Sequence, residues 1–163
     1  MKMIAEYDAR TILGYPVTVL DSAYEDEELD AIGLVNAAAL GASVAVTRAL
    51  IPLQLCGAEL RFLRKAMGRT GKEFAEAIDV DPAVLSRWEN DKQTMGGFAE
   101  KVIRQYVLDE LGEAAAGVPV PKGLVPTMKI VPRDAADTEP LRLVFRLNAD
   151  TQSGKSGVYA RAA

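Results

Sequence analysis

Apolar residues recur at helical spacing from residue 57 to residue 111, punctuated by glycine, proline and small polar residues. Spacing of this kind gathers apolar side chains on one face of a helix. In GAELRFLRKAMG the stripe is Leu60, Leu63 and Met67, and Gly68 supplies the C-terminal stop. TGKEFAEAI opens a second helix at Thr70, with Glu73 at the spacing of a capping box. The connection IDVD is tight, and Asp81 followed by Pro82 provides an N-cap and a preorganised first helical residue. A short third helix is therefore predicted, with Val84, Leu85 and Trp88 as its core side and Ser86 and Arg87 facing elsewhere. After NDKQTMGG, a longer helix over 98–111 carries Phe98, Val102, Ile103, Tyr106 and Leu111 on one broad face.

The flanking segments change period. RTILGYP and VTVLDSAY are β-rich runs separated by a turn signal at 14–16, and Val17 and Val19 alternate with Thr18 as in a half-buried strand. AIGLV (31–35) reads as a third strand, after which Asn36 caps a helix over 37–51 that Pro52 stops. The same residues also allow one long helix from Leu29, with Gly33, Ala37, Gly41 and Ala45 as a stripe of small residues; strand followed by helix is the reading adopted. Residues 117–126, punctuated by Gly and Pro, read as a linker. TMKIV and LRLVFRL then read as the strands of a hairpin, with Leu141, Leu143, Phe145 and Leu147 on one face and Arg142, Val144 and Arg146 on the other. An isolated hairpin is marginal in water, so this one should dock on the rest of the chain or on another subunit. The predicted class is mainly α with added β (α+β). Residues 1–55 form a small β-sheet plus helix, 56–115 a helical core, 116–148 a linker and β-hairpin, and 149–163 a mobile tail.

Composition narrows the chemistry. With 163 residues, about half of them apolar and a quarter charged, the chain fits one principal globular domain with additions. It has one cysteine, Cys56, and no histidine, so no Cys/His zinc site is expected and the commonest general base is missing. No catalytic constellation and no cofactor motif is found; the expectation is a protein that is not an enzyme, uses no metal and suits a reducing cytoplasm. No basic segment precedes an apolar stretch near Met1, so no secretory signal is expected. The uncharged run 31–47 is short for a span and broken by Gly33, Asn36, Gly41 and Ser43, so no membrane crossing is expected.

Net charge is −4 but unevenly spread. Residues 1–56 hold three Lys/Arg against eight Asp/Glu, with EDEELD at 25–30 the densest block, whereas 57–72 hold Arg61, Arg64, Lys65, Arg69 and Lys72 against Glu59 alone. Concentrated positive charge in one segment is compatible with a nucleic-acid partner bound locally and with strong salt dependence.

The helices described above carry a resemblance. LRFLRKAMGRTGKEFAEAIDVDPAVLSRWENDK, residues 60–92, is similar to the Cro-repressor or XRE family of helix-turn-helix proteins in its Leu-x-x-Leu-Arg, Gly-x-Thr, Val-Asp and Ser-Arg-Trp-Glu-Asn elements. The resemblance implies a recognition helix in the major groove of double-stranded DNA, with Ala83, Ser86 and Arg87 toward base edges. Arginine is suited to guanine O6 and N7, and an Ala methyl to the thymine methyl. It further implies phosphate contacts from Arg64, Arg69, Thr70, Lys72 and Lys92, a pairing of Arg64 with Glu89, and a core role for Trp88. Three positions depart from the family pattern: Gly71 stands where many relatives have Gln, Asp79 takes the place of the turn glycine, and Arg69 that of an apolar residue. A wider similarity, carried by GAELRFLRKAMG and GGFAEKVIRQYV, extends from about residue 41 to 110 toward bacterial proteins that join a small β-containing region to such a module. These include antitoxins with a zinc finger, whose CxxC pair is not present here.

The expected function is a dimeric repressor of its own operon on a palindromic operator, since one recognition helix offers few base contacts. Phe98, Val102, Ile103 and Tyr106 are the expected dimer interface. The alternative is an antitoxin or anti-activator that acts mainly by holding a protein partner.

Overall fold

The computed structural model describes residues 1–115, 118–148 and 157–162. Its α+β class agrees with the sequence pattern. One sheet is organised around the long strand β2 (Val17–Asp26). Along one edge of it runs β1 (Lys2–Asp8), antiparallel. The opposite edge is divided: β3 (Ala31–Leu34) pairs antiparallel with residues 23–26, while β4 (Leu143–Asn148) pairs parallel with residues 17–20. Outside β4 lies β5 (Gly157–Ala162), antiparallel to it. Asp21, at φ 50°, separates the two halves of β2, and the β1 register shifts opposite it between Ile4 and Glu6. An irregularity of this kind re-aims a strand. Val17 and Val19 before it and Ala23 after it all face the core, while Asp21 stays exposed.

The predicted β3 and the following helix are present. Asn36 caps α2 (Ala37–Leu50), accepting the Ala39 N–H at 3.4 Å, and the pairing of β3 with β2 excludes a single helix from Leu29. Two strand expectations are corrected. Residues 10–13 form the helical turn α1 (Arg10–Leu13), because Asp8 accepts the Arg10 N–H (3.0 Å) and Gly14, at φ 72°, closes the turn. The actual partner of β2 is β1, whose mostly exposed KMIAEYD carries no clear alternation.

Residues 127–131 are not a strand either. The chain turns through α7 (Leu124–Thr127), and Val131 is captured by the loop after α2: its N–H bonds Pro52 O (2.7 Å) and its carbonyl accepts from Gln54 N–H (2.9 Å). A C-terminal hairpin does exist, but it is β4 with β5. Of the tail expected to be mobile over 149–163, residues 149–156 and 163 lie outside the described residues, and 157–162 are strand β5. Leu143 and Phe145 of β4 are buried, in keeping with the expected inner face.

Four further helices complete the chain: α3 (Gly57–Ala66), α4 (Gly71–Ala77), α5 (Pro82–Glu89) and α6 (Gly97–Leu111). Their boundaries follow the predicted caps. Gly68, at φ 68°, ends the first; Thr70 and Glu73 form a reciprocal capping box on the second (3.2 and 2.8 Å); Asp81 caps the third with Pro82 as its first residue. The α6 helix packs on α2, and Ile103 and Val107 of the one and Leu40 and Val44 of the other are buried. No helix of the described residues is long and apolar enough to cross a membrane.

A buried ionic cluster locks these parts together. Arg48 of α2 and Glu59 of α3 are fully buried and directly paired. The same carboxylate meets Arg133 (3.1 Å) and accepts the N–H groups of Cys56 (3.0 Å) and Leu141 (3.1 Å). Tyr15 donates its hydroxyl to Leu141 O (2.6 Å) beside it. Burial alone would raise the Glu59 carboxyl, but the hydrogen bonds and charge of Arg48, with the Cys56 N–H and Arg133, outweigh it and hold the group below its ordinary value. A second buried pair, Arg104 with Glu100 (2.7 Å), grips the carbonyls of Ala49, Ile51 and Leu53. Between them the two arginines satisfy the carbonyls of the loop from α2 to α3, polar groups that burial would otherwise leave costly. Cys56, in that loop, is buried and its thiol is pushed up to about 12 by burial and by Glu59, so it stays protonated and inert.

Candidate nucleic-acid interface

The interface is built from how α5 is seated. Leu85 and Trp88 turn inward, and Ala83, Ser86 and Arg87 point to solvent on the remaining faces. The connection from α4 passes through Asp79 in a left-handed conformation (φ 56°), which Asp accommodates more cheaply than most residues. At the far end of α5, Glu89 binds Arg64 of α3 through two contacts (2.5 and 3.1 Å), and Arg61 bonds Asn90 Oδ1 (3.0 Å). The hydrogen bond to Glu89 raises Arg64 above its ordinary value. Gly57 completes the seat: a methyl group there would collide with the backbone carbonyls of Trp88 and Glu89, and its N–H is held by Asp91 Oδ1 at 2.8 Å. Neither Gly57 nor Asp91 stands out in the sequence; their signal is a glycine at the very start of a helix and an Asp in the turn after one.

The chain matches the helix-turn-helix family over residues 60–104. That segment is a helix-turn-helix of the Cro/XRE type. Comparison with curated proteins and with solved structures returns no match. A helix-turn-helix of this type is a DNA-binding module of transcription regulators, and α4 and α5 are its two defining helices.

Within the helix-turn-helix, the expected site residues divide. Ala83, Ser86 and Arg87 share the exposed side of α5, and Arg87 rests with its Nε donating to Gln93 Oε1 (3.0 Å). Thr70, Lys72 and Lys92 are exposed as well. The Thr70 N–H is occupied by Glu73, which lies below its ordinary carboxyl value because of that bond, and the Thr70 side chain accepts the Glu73 N–H in return. Arg64, its side chain 13% exposed, bonds Glu89 in the pairing that the resemblance implies, and also the Arg69 carbonyl. Arg69, its side chain 39% exposed, pairs with Glu110 on α6 (3.2 Å). Glu89 and Trp88 sit in the supporting positions expected of them.

The expected dimer interface is corrected in part. Ile103 is fully buried inside the chain and Tyr106 packs on Phe74, ring centres 5.8 Å apart. The apolar face of α6, broader than three helices need, is covered by α2 instead of by a second subunit. Phe98 remains 84% exposed, next to Val102, Ile78 and Val80 around a shallow cavity of about 280 Å³.

Proposed function

We propose that the chain is a sequence-specific transcriptional regulator that reads DNA with α5 and represses its own operon from a two-fold operator. The observation that carries this reading is the division of α5 itself. Leu85 and Trp88 anchor it, Glu89 and Gly57 fix its far end, and Ala83, Ser86 and Arg87 are left free on the outer side. A buried anchor with an exposed polar face is what a recognition helix requires. The test is a gel shift with DNA from upstream of its own operon and with random DNA, at several salt concentrations. Lys72→Ala should weaken both complexes alike and make the salt dependence shallower by about one charge per half-site. Lys72 binding unchanged on both DNAs would remove it from the phosphate contacts.

The homodimer belongs to the same proposal, now through Phe98 and Val102. Phe98→Glu is expected to convert a dimeric mass in light scattering to a monomeric one that keeps its folded circular dichroism, since the side chain is exposed on the single chain. A wild-type chain that is monomeric at micromolar concentration and on DNA would remove the dimer.

A second reading, an antitoxin or anti-activator, is favoured by the β2–β3 turn. Glu25, Glu27, Glu28 and Asp30 are exposed there together with Leu29, 74% exposed, an acidic surface with an apolar centre suited to a basic protein. Co-purification with the product of a neighbouring gene, lost on Leu29→Lys, would favour it.

A further inference from the structure

The outer side of α5 carries hydrogen bonds that fix which way its polar groups point. Arg61 of α3 donates Nη2 to Asn90 Oδ1 (3.0 Å), and Asn90 Nδ2 donates in turn to Ser86 O (2.8 Å), with Ser86 Oγ at 3.5 Å. An arginine can only donate, so Arg61 decides that the amide oxygen of Asn90 faces α3 and its nitrogen faces Ser86. Arg87 Nε, donating to Gln93 Oε1 (3.0 Å), sets that amide by the same rule. Ser86, Arg87, Asn90 and Gln93 are all exposed.

What this leaves toward solvent is a row of donors. The amide oxygens of Asn90 and Gln93 each have an arginine partner, and the Ser86 oxygen faces an amide nitrogen, so the hydroxyl hydrogen is the part of Ser86 free to bond outward. Among the described residues Nη1 and Nη2 of Arg87 have no partner. The carboxylates at the two ends of the helix, Asp81 and Asp91, each accept a backbone N–H, of Ala83 (2.7 Å) and Gly57 (2.8 Å). In the major groove guanine presents two acceptors, adenine an acceptor beside a donor, thymine one acceptor beside a methyl group, and cytosine a donor. A face of donors therefore meets guanine at two points and every other base at one or none. Ser86 and Arg87 are consecutive, their Cα atoms about 3.8 Å apart, close to the roughly 3.4 Å between successive bases of a strand. Such neighbours reach neighbouring bases.

We infer that α5 selects a guanine step, two adjacent guanines on one strand of each half-site. One is received by Arg87 through Nη1 and Nη2 and its neighbour by the Ser86 hydroxyl, with Asn90 and Arg61 as positioning residues behind Ser86. This selectivity rests on the proposed reading of DNA by α5.

The full chain would be used to select duplexes from a random-sequence pool. The expected result is enrichment of a half-site with two adjacent guanines on one strand, and replacing either of them by adenine should weaken binding about tenfold. The guanine whose preference Arg87→Ala relaxes marks the Arg87 position, and 7-deazaguanine there, which removes N7 and keeps the base pair, should weaken binding at least about fivefold. Asn90→Asp tests the other position. Its carboxylate still pairs with Arg61 but can only accept, so the Ser86 hydroxyl turns inward to donate, and the neighbouring base loses its preference for guanine while the Arg87 position keeps its own. Enrichment of sites without a guanine step, 7-deazaguanine bound as well as guanine at the Arg87 position, or an unchanged guanine preference at the Ser86 position in Asn90→Asp would each overturn the selectivity and leave DNA reading by α5 standing. Binding without enrichment of any sequence, or no binding at all, would overturn both together.

Discussion

Glu59→Gln is expected to lower the unfolding free energy by roughly 3–5 kcal/mol, read as a large drop in the urea midpoint, because it leaves buried arginine charge without its counter-ion. Arg48 and Glu59 are both fully buried, and Arg133 is 5% exposed. Glutamine preserves the shape and can accept some of the same hydrogen bonds, so the loss isolates the charge. The damage should not stay local. Glu59 contacts α2, the loop before α3, Arg133 and the chain entering β4, so sheet and helices should melt together in a single transition. The acid limb provides a second reading of the same group. Glu59 is held below its ordinary value in the fold, so its contribution is fully present above the unfolded carboxyl value of about 4.3. It is lost as pH falls through the lower folded value. The wild-type chain should therefore lose stability on acidification more steeply than Glu59→Gln, and the two curves should converge at the acid end. An unchanged midpoint at neutral pH would show that the arginines find other partners and that the cluster is not what joins the parts.

Arg87→Ala is expected to cost about 1–3 kcal/mol on the specific operator and to relax the preference at one position of each half-site. Among Ala83, Ser86 and Arg87, only Arg87 has the length and the paired donors to read a guanine edge. In the free protein its Nε rests on Gln93, an exposed partner that it can leave at small cost. On random DNA the same substitution should matter much less, in contrast to Lys72→Ala, whose loss should be the same on every sequence. Equal losses on operator and random DNA for Arg87→Ala would make it another phosphate contact.

What could be read from the sequence were features with local causes. The Thr70 and Glu73 capping box, Asp81 before Pro82, Gly68 and Asn36 each bond within a few residues of themselves, so their partners sit beside them in the chain. Side chains at helical spacing placed Leu60, Leu63, Leu85 and Trp88 in the core, and left Ala83, Ser86 and Arg87 outside it, by the same local geometry. Arg64 with Glu89 came from family pattern alone, and the pairing of Arg69 with Glu110 was not legible, because both pairs bridge helix packings that no short window contains.

Other features were set by partners far away along the chain. LRLVFRL carries its strand in its own alternation, but not its choice of β2 as a parallel neighbour, nor that of β5 on its other side. The β-rich segment 127–131 lost its strand because the loop after α2 offered its backbone groups first. Arg48, Glu59, Glu100 and Arg104 look like surface charges in a sequence, and they are buried only because helices α2, α3 and α6 converge on one loop whose carbonyls need donors. The apolar face of α6, with Ile103 at its centre, called for a cover; the sequence determined that need, and only the tertiary structure decided that α2 of the same chain meets it, since burial rewards any apolar surface of matching shape and carries no record of which one.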